Sequence, residues 1–127
     1  MPLERVIIAK QVVDSLLSYS QMAYPKEGIL LLRGKYRKGV AEITSLVIPP
    51  AATHGEGFSS FNWSMIPIDF SFIGVAHSHP SGNISPSHED LLHATGRVMV
   101  IVGYPFVDFR FLGVYDTTGR QIPFVVE

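Results

Sequence analysis

A chain of 127 residues is long enough for about one domain, which at this size buries roughly two-thirds of the surface of the unfolded chain. Apolar residues make up 46% and charged residues 17%, proportions that exclude a disordered protein. Lys and Arg number 10 against 11 Asp and Glu, so we expect neither nucleic-acid nor membrane binding. Cysteine is absent, which leaves histidine and carboxylates as the available metal ligands.

The beginning of the chain shows no targeting signal. Residues 1–8 lack the basic-then-apolar pattern of a signal peptide, and no apolar run approaches the length of a membrane span. We therefore expect a soluble, cytoplasmic protein. The β-branched run Arg5–Ile8 predicts a first strand.

An amphipathic helix is predicted over Ala9–Ala23, because its apolar residues fall on one helical stripe with polar residues opposite. The stripe consists of Val12, Val13, Leu16 and Leu17, and less cleanly Met22. Pro25 ends the helix, since proline has no N–H and restricts the residue before it.

A hairpin follows the helix. The apolar run within Glu27–Gly34 is too short for a helix and favours a buried strand. The basic segment Lys35–Gly39 is typical of a solvated connection, and it leads into the β-branched strand Val40–Ile48. Pro49 stops that strand.

The second half of the chain predicts a long loop and further strands. The small and polar stretch 51–62 predicts a loop of a length that is commonly functional, and 61–69 predicts a short strand and an irregular turn. The further predicted strands are 70–76, 98–102, 109–115 and 122–126. The fold class is therefore α/β, a single domain with a mixed, largely antiparallel β-sheet flanked by helices.

The most informative stretch runs from a strand end at His77 to a helix start at Asp90. His77 and His79 are two positions apart, so both side chains point to the same face of an extended strand. A turn rich in Gly, Pro and Ser follows, and Asp90 then returns a carboxylate. Such a pair of histidines alone is more often a polar strand end, but with the aspartate the pattern predicts a three-ligand zinc site with one open position.

The pattern His-x-His-Pro, six residues, Ser, two residues, Asp resembles, position for position, the signature of the JAMM (MPN+) zinc metalloprotease family. Upstream, Pro25–Gly34 resembles the family's glutamate-bearing first hairpin strand. The resemblance covers nearly the whole chain. It implies one JAMM/MPN+ metalloprotease domain over residues 1–127, with a cytidine-deaminase-like core, similar to the small archaeal-type deubiquitinase-like members.

The resemblance implies roles for five residues. His77, His79 and Asp90 would hold Zn²⁺ with a water in the fourth position. Glu27 would take a proton from that water and later give one to the leaving amine, and Ser87 would donate a hydrogen bond to the oxyanion. Ser87 is alternatively the N-cap of a helix in a Ser-x-x-Asp capping box. Glu27 by itself is typical of a solvated charge at a strand start.

Other candidates have weaker interpretations. His88 and Glu89 are expected to face solvent or the rim of the site, and His93 is expected at the surface or packed rather than as a fourth ligand. Ser78 is expected to face away from the metal. His54 and Glu56 could approach substrate, although a mobile loop is the better interpretation of their segment. Phe61, Trp63 and Met65 either line a substrate groove or close the core, and Asp69 is expected to cap a turn.

Enzymes of this family hydrolyse amide bonds, typically isopeptide bonds between the C-terminal glycine of a ubiquitin-like protein and a lysine. The resemblance therefore implies ubiquitin-like modifier proteins or their conjugates as partners. We expect an extended Gly-Gly tail to pair with the loop at 53–65. A homodimer formed through the first helix or the apolar strands is a further expectation.

Three other functions remain open. The turn His-Pro-Ser-Gly also resembles the RadC-like branch of the superfamily, although the helical extension of that branch is missing here. Another amidase of the same fold, such as a sulfur-carrier or peptidoglycan peptidase, is the second. The third is a non-catalytic MPN scaffold, a class that typically loses the metal ligands, whereas all five residues are present in this chain.

Overall fold

The computed structural model describes residues 2–48 and 71–127. Within these ranges the chain forms seven strands, two α-helices and one short 3₁₀ turn. The strands are β1 (Arg5–Ile8), β2 (Ile29–Arg37), β3 (Val40–Val47), β4 (Phe72–His79), β5 (Val98–Gly103), β6 (Leu112–Asp116) and β7 (Phe124–Val126). The helices are α1 (Lys10–Ala23) and α2 (His88–Leu92), and the 3₁₀ turn is Phe109–Phe111.

The strands form one mixed sheet in the order β6-β5-β4-β2-β3-β1-β7. β2 is antiparallel to its neighbours β3 and β4, and β5 is antiparallel to β6. β4 is parallel to β5, and β1 is parallel to β3 and β7. More residues pair in the antiparallel ladders than in the parallel ones, so the predicted fold class is confirmed.

Helix α1 covers one face of the sheet and forms the larger core. Its predicted apolar stripe is buried there, against side chains from β3, β4 and β5 such as Ile43, Ala76 and Val100. Fully burying an aliphatic side chain of this size contributes about 1.5–3 kcal/mol. Met22, the least regular member of the stripe, is 81% exposed and does not belong to this core.

A smaller core lies on the opposite face. It contains Val75 of β4 and Ile101 of β5, with Leu91 of α2 packed against it. Because side chains alternate along a strand, His77 and His79 point to the same face as Val75. The two histidines therefore face the side of the sheet on which α2 lies.

The hairpin strand β2 is longer than predicted. Lys35–Arg37 was expected to connect two strands, but it continues β2 and pairs with Val40–Glu42 of β3. Lys38 and Gly39 alone make the turn, with φ of 51° and 82°. A two-residue turn with both φ values positive matches the twist of the flanking strands, which allows the ladder to continue to its end.

The prediction of a strand over 109–115 is wrong in its first half. Phe109–Phe111 forms a 3₁₀ turn, because the Asp108 carboxylate accepts a hydrogen bond from the Arg110 amide at 2.9 Å. The same carboxylate accepts from the Arg110 guanidinium at 2.7 Å. These local bonds compete with strand pairing, so β6 begins only at Leu112. The predicted first strand agrees with β1 at both ends, and the other predicted strands among the described residues differ from the observed ones only in their ends, by one to three residues.

The predictions for 51–69, including those for His54, Glu56, Phe61, Trp63, Met65 and Asp69, lie outside the described residues. Among the described residues, neither helix has the length and apolar composition needed to cross a membrane.

Candidate metal centre

Strand β4 brings both histidines into the protein interior. His77 is 3% exposed and His79 is 7% exposed. The strand lies between β2 and β5, where Ile29 and Ile101 flank His77 and Gly103 flanks His79. A Cβ at Gly103 would lie 2.6 Å from the Ile84 side chain, so glycine lets the loop after His79 pack closely over the strand end.

The first turn of α2 places Asp90. Ser87 is the N-cap, and its Oγ accepts a hydrogen bond from the Asp90 amide at 3.0 Å. Asp90 Oδ2 in return accepts from the Ser87 amide at 2.8 Å. This reciprocal capping box confirms the helix-cap interpretation of Ser87 and fixes the Asp90 carboxylate toward the sheet.

Asp90 contacts both histidines. Its Oδ2 lies 3.0 Å from His79 Nε2, and its Oδ1 lies 3.7 Å from His77 Nδ1. The other nitrogen of His79, Nδ1, donates to the carbonyl oxygen of Asn83 at 2.7 Å. This bond orients the imidazole so that Nε2 faces the carboxylate, which is how outer hydrogen bonds commonly orient a metal-binding histidine.

The protonation states follow from burial and from these contacts. Burial lowers the pKa of His77 to about 4, so this imidazole is neutral at pH 7. Burial alone would raise the pKa of Asp90, but hydrogen bonds from His79 and the Ser87 amide lower it to about 2. Burial likewise opposes a charge on His79, yet its bonds to Asp90 and Asn83 raise its pKa overall. The site therefore holds one carboxylate and at least one neutral imidazole at pH 7.

These donors fit zinc. The fit is one of chemical type, because among residues 2–48 and 71–127 no three His, Asp or Glu side chains are arranged to hold a metal ion. A tetrahedral ion with ligands at about 2.0–2.1 Å separates its donor atoms by about 3.3 Å. The contact of 3.0 Å from Asp90 Oδ2 to His79 Nε2 and that of 3.7 Å from Oδ1 to His77 Nδ1, which start from different oxygens, lie on either side of that value. Metal binding would replace the proton on His79 Nε2, as is usual for such ligands.

Glu27 reaches the same region from a different strand. It lies two residues before β2 and lines a cleft of about 310 Å³ together with His79 and Ser87. Burial raises the pKa of Glu27; the charge of His79 lowers this pKa, and the charges of Asp90 and Glu89 raise it. The Glu27 carboxylate is half-buried and shares this cleft with His79, so it is not a fully solvated charge.

Ser87 can serve two roles with one hydroxyl. Its oxygen accepts the Asp90 amide hydrogen, and this uses only acceptor capacity. The hydroxyl hydrogen remains able to donate toward the cleft that Ser87 lines. Helix capping and donation to a bound substrate are therefore compatible.

The other candidates among residues 71–127 lie where the sequence suggested. His88 and Glu89 are exposed, and His93 is exposed at the C-cap of α2. Ser78 is 2% exposed, and its hydroxyl accepts a hydrogen bond from the Gly28 amide, on the sheet face opposite the histidines.

Two supporting groups escaped the sequence analysis. The Asn83 carbonyl that holds His79 is a main-chain atom, so no residue type marks it. The Tyr115 hydroxyl donates to the Ile84 carbonyl at 2.5 Å, and this bond links the loop that follows His79 to β6. A tyrosine at the end of an otherwise apolar strand is the only signal for it, since a buried phenol needs a hydrogen-bond partner.

The burial of His77 predicts a pH effect on the metal-free protein. The unfolded ring gains a proton below pH 6.5, whereas the folded ring stays neutral down to about pH 4. The free energy of unfolding should therefore fall as the pH drops from 6.5 to 4, by at most about 3 kcal/mol from this residue. Urea unfolding in the presence of a chelator at several pH values measures the loss. His77→Leu should show a shallower decrease, and an equally steep one would contradict the assignment.

Comparisons with known proteins identify the family of this chain. The family model described as prokaryotic homologs of the JAB domain matches residues 9–113. A Haloferax volcanii protein named a probable metalloprotease is 33% identical over an alignment of 110 positions, and the match covers 81% of this chain and 68% of that protein.

Two solved structures share the fold. One, described as a JAMM metalloprotease-like zinc site in the proteasome and signalosome, has a TM-score of 0.67 at 25% identity and covers 100% of this chain and 99% of its own. A JAB1/MPN domain protein from Archaeoglobus fulgidus has a TM-score of 0.68 at 29% identity, over 94% of this chain and 96% of its own. The resemblance found in the motif is confirmed, and the chain belongs to the prokaryotic homologs of the JAB domain.

Proposed function

We propose that this protein is a zinc-dependent isopeptidase or peptidase that hydrolyses the amide bond after the C-terminal Gly-Gly tail of a ubiquitin-like modifier attached to lysine. One observation carries the proposal. Glu27, His79 and Ser87, from three separate segments, line a single cleft, and the deeply buried His77 and Asp90 adjoin His79. The names of the relatives, a probable metalloprotease and a metalloprotease-like zinc site, support hydrolysis.

In this proposal His77, His79 and Asp90 hold the zinc ion, and Glu27 and Ser87 act on the substrate. Bound zinc would supply a Lewis acid that lowers the pKa of a water molecule to about 7. Glu27 accepts a proton from the water as its oxygen adds to the amide carbon. When the carbon–nitrogen bond breaks, Glu27 returns this proton to the lysine amine. The second proton of the water then passes from the new carboxyl group to the amine, so the products at neutral pH are a carboxylate and an ammonium group.

Ser87 stabilises the oxygen that becomes negative during addition. Its hydroxyl hydrogen donates to that oxyanion while the Asp90 amide holds the hydroxyl oxygen. A single oxyanion donor contributes about 10²–10³ in rate at other sites. The capping box keeps this donor on a fixed helix start, which avoids reorganisation during the reaction.

The proposed substrate presents a tail without side chains to the cleft. A Gly-Gly tail has no side chains, so it can approach the half-buried Glu27 without displacing the loop that follows His79. The expected pairing of this tail with the segment 53–65 falls outside the described residues.

The direct test uses purified, zinc-loaded protein. We expect cleavage of a ubiquitin-like modifier joined to lysine through its Gly-Gly tail, measured by mass spectrometry of the released modifier. The same modifier with its tail changed to Ala-Ala should be cleaved more slowly, because the added methyl groups crowd the cleft.

The other outcomes identify the competing functions. Cleavage of small acyl-amides without cleavage of any modifier conjugate would reject the isopeptidase proposal and favour another amidase. Stable partner binding by a protein that neither holds zinc nor hydrolyses amides would identify a scaffold.

A further inference from the structure

Two hydrogen bonds join the segment that carries Glu27 to the strand that carries the histidines. The Gly28 amide donates to Ser78 Oγ at 2.7 Å, and the Ser78 amide donates to the Gly28 carbonyl at 3.1 Å. Gly28 directly follows Glu27, and Ser78 lies between His77 and His79. Residues fifty positions apart in the chain are thus held together beside the catalytic groups.

The hydroxyl of Ser78 accepts its hydrogen bond at the point where the ladder between β2 and β4 ends. The ladder between β2 and β4 pairs residues as far as Ile29 and His77. At the next position the Gly28 amide bonds to a side chain instead of a main-chain carbonyl. The serine therefore provides the acceptor that lets the backbone leave the ladder without an unpaired buried amide.

The surroundings leave Gly28 little freedom. A Cβ at Gly28 would lie 2.5 Å from Cε2 of Tyr19, so the ring of Tyr19 occupies the space of a side chain. Ser78 is 2% exposed, and it lines a small cavity together with Gly28 and with Tyr19 and Leu16 of α1. The residue after Glu27 is thus confined by α1 and bonded to β4.

We propose that Ser78 is a positioning residue that sets the place of Glu27 relative to the two histidines. It faces the opposite side of the sheet from the histidines and touches no reacting atom, so it acts only through the Gly28 backbone. The proposal rests on the hydrolytic function proposed above. Misplacing a catalytic group by about 1 Å can lower a rate by about 10²-fold, so the loss of this bond should matter although it lies behind the site.

The test replaces Ser78 by alanine in the full chain. We expect kcat on a modifier–lysine conjugate to fall by about 10- to 100-fold, with KM and the zinc content unchanged. Amide hydrogen exchange at Gly28 should become at least about tenfold faster, since the hydrogen loses its acceptor. Ser78→Thr keeps the hydroxyl and should restore both slow exchange and kcat.

Ser20→Ala is the matched control. Ser20 is also 2% exposed and borders the same cavity, but its hydroxyl donates to the Leu16 carbonyl within α1. This variant should leave kcat and Gly28 exchange unchanged, so it separates a general loss of packing from the specific bond.

Three results would overturn the proposal: unchanged kcat in Ser78→Ala, a loss of kcat that matches a loss of zinc, or unchanged Gly28 exchange. A wild-type protein without hydrolytic activity would instead reject the proposed function. In that case the exchange measurement still decides whether Ser78 holds the Glu27 segment.

Discussion

Glu27→Gln is expected to abolish nearly all hydrolysis while the protein stays folded and keeps its zinc. Glutamine has the size of glutamate but cannot accept a proton at neutral pH. A positioned general base or acid contributes about 10²–10⁴ in rate, and Glu27 is proposed to serve as both, so kcat should fall by at least that range. KM should change little, because the cleft keeps its shape. Steady-state kinetics on a modifier–lysine conjugate, with zinc determined on the same sample, measures both effects.

Glu42→Gln provides the matched control for Glu27. Glu42 is an exposed glutamate on β3 and lies opposite Lys35 in the ladder between β2 and β3. The same change of charge at this position should leave kcat and zinc content unaltered. If Glu27→Gln retained more than about a tenth of the wild-type kcat, the assignment of Glu27 as the base would be rejected.

Asp90→Asn is expected to have the largest effect on zinc binding. The carboxylate, with a pKa of about 2, is the negative charge that faces both histidines. Changing a group that merely supports a metal ligand typically costs about 10- to 100-fold in affinity, so loss of the charged ligand itself should cost more. Asparagine can still accept the Ser87 amide through its side-chain oxygen, so the helix start should persist. Zinc titration against a competing chelator, with circular dichroism on the same samples, separates binding from folding.

Asp14→Asn tests whether any lost aspartate charge would have this effect. Asp14 lies on the exposed face of α1 and pairs with Lys10 at 3.1 Å. Exposed ion pairs of this kind contribute about 0.3–0.5 kcal/mol to the free energy of unfolding, so the protein should stay folded. Because Asp14 is not among the proposed zinc ligands, zinc affinity should be unchanged. Equal zinc affinities for Asp90→Asn and the wild type would show that Asp90 is not a ligand.

The sequence predicted local structure correctly where a segment showed one clear spacing of its residues. The stripe in α1 identified that helix to within one residue at its start, because four of its five apolar residues are buried against the sheet. The Ser-x-x-Asp spacing predicted the capping box that orients Asp90, since both hydrogen bonds join residues three apart. The extended backbone through Ser78 placed His77 and His79 on one face, as the alternation of strand side chains requires.

Predictions were wrong where a turn residue, and not the composition of the neighbouring segment, determined the course of the backbone. Lys35–Arg37 looks like a solvated connection, yet the positive φ values of Lys38 and Gly39 allow a tight turn and extend β2. Phe109–Phe111 looks like a strand, but the Asp108 side chain provides the hydrogen bonds of a turn. In both cases one or two turn residues outweighed the composition of the segment.

The sequence by itself determined the chemistry available to this protein. Without cysteine, two histidines and an aspartate at this spacing are the donors offered to a metal, and the order of the residues indicated their family. Only the tertiary structure decided how Glu27 reaches them. Its position depends on the antiparallel pairing of Ile29 with His77 and on the bond from the Gly28 amide to Ser78. Such contacts join segments fifty residues apart, and periodicity along a single strand does not specify which partner that strand will pair with.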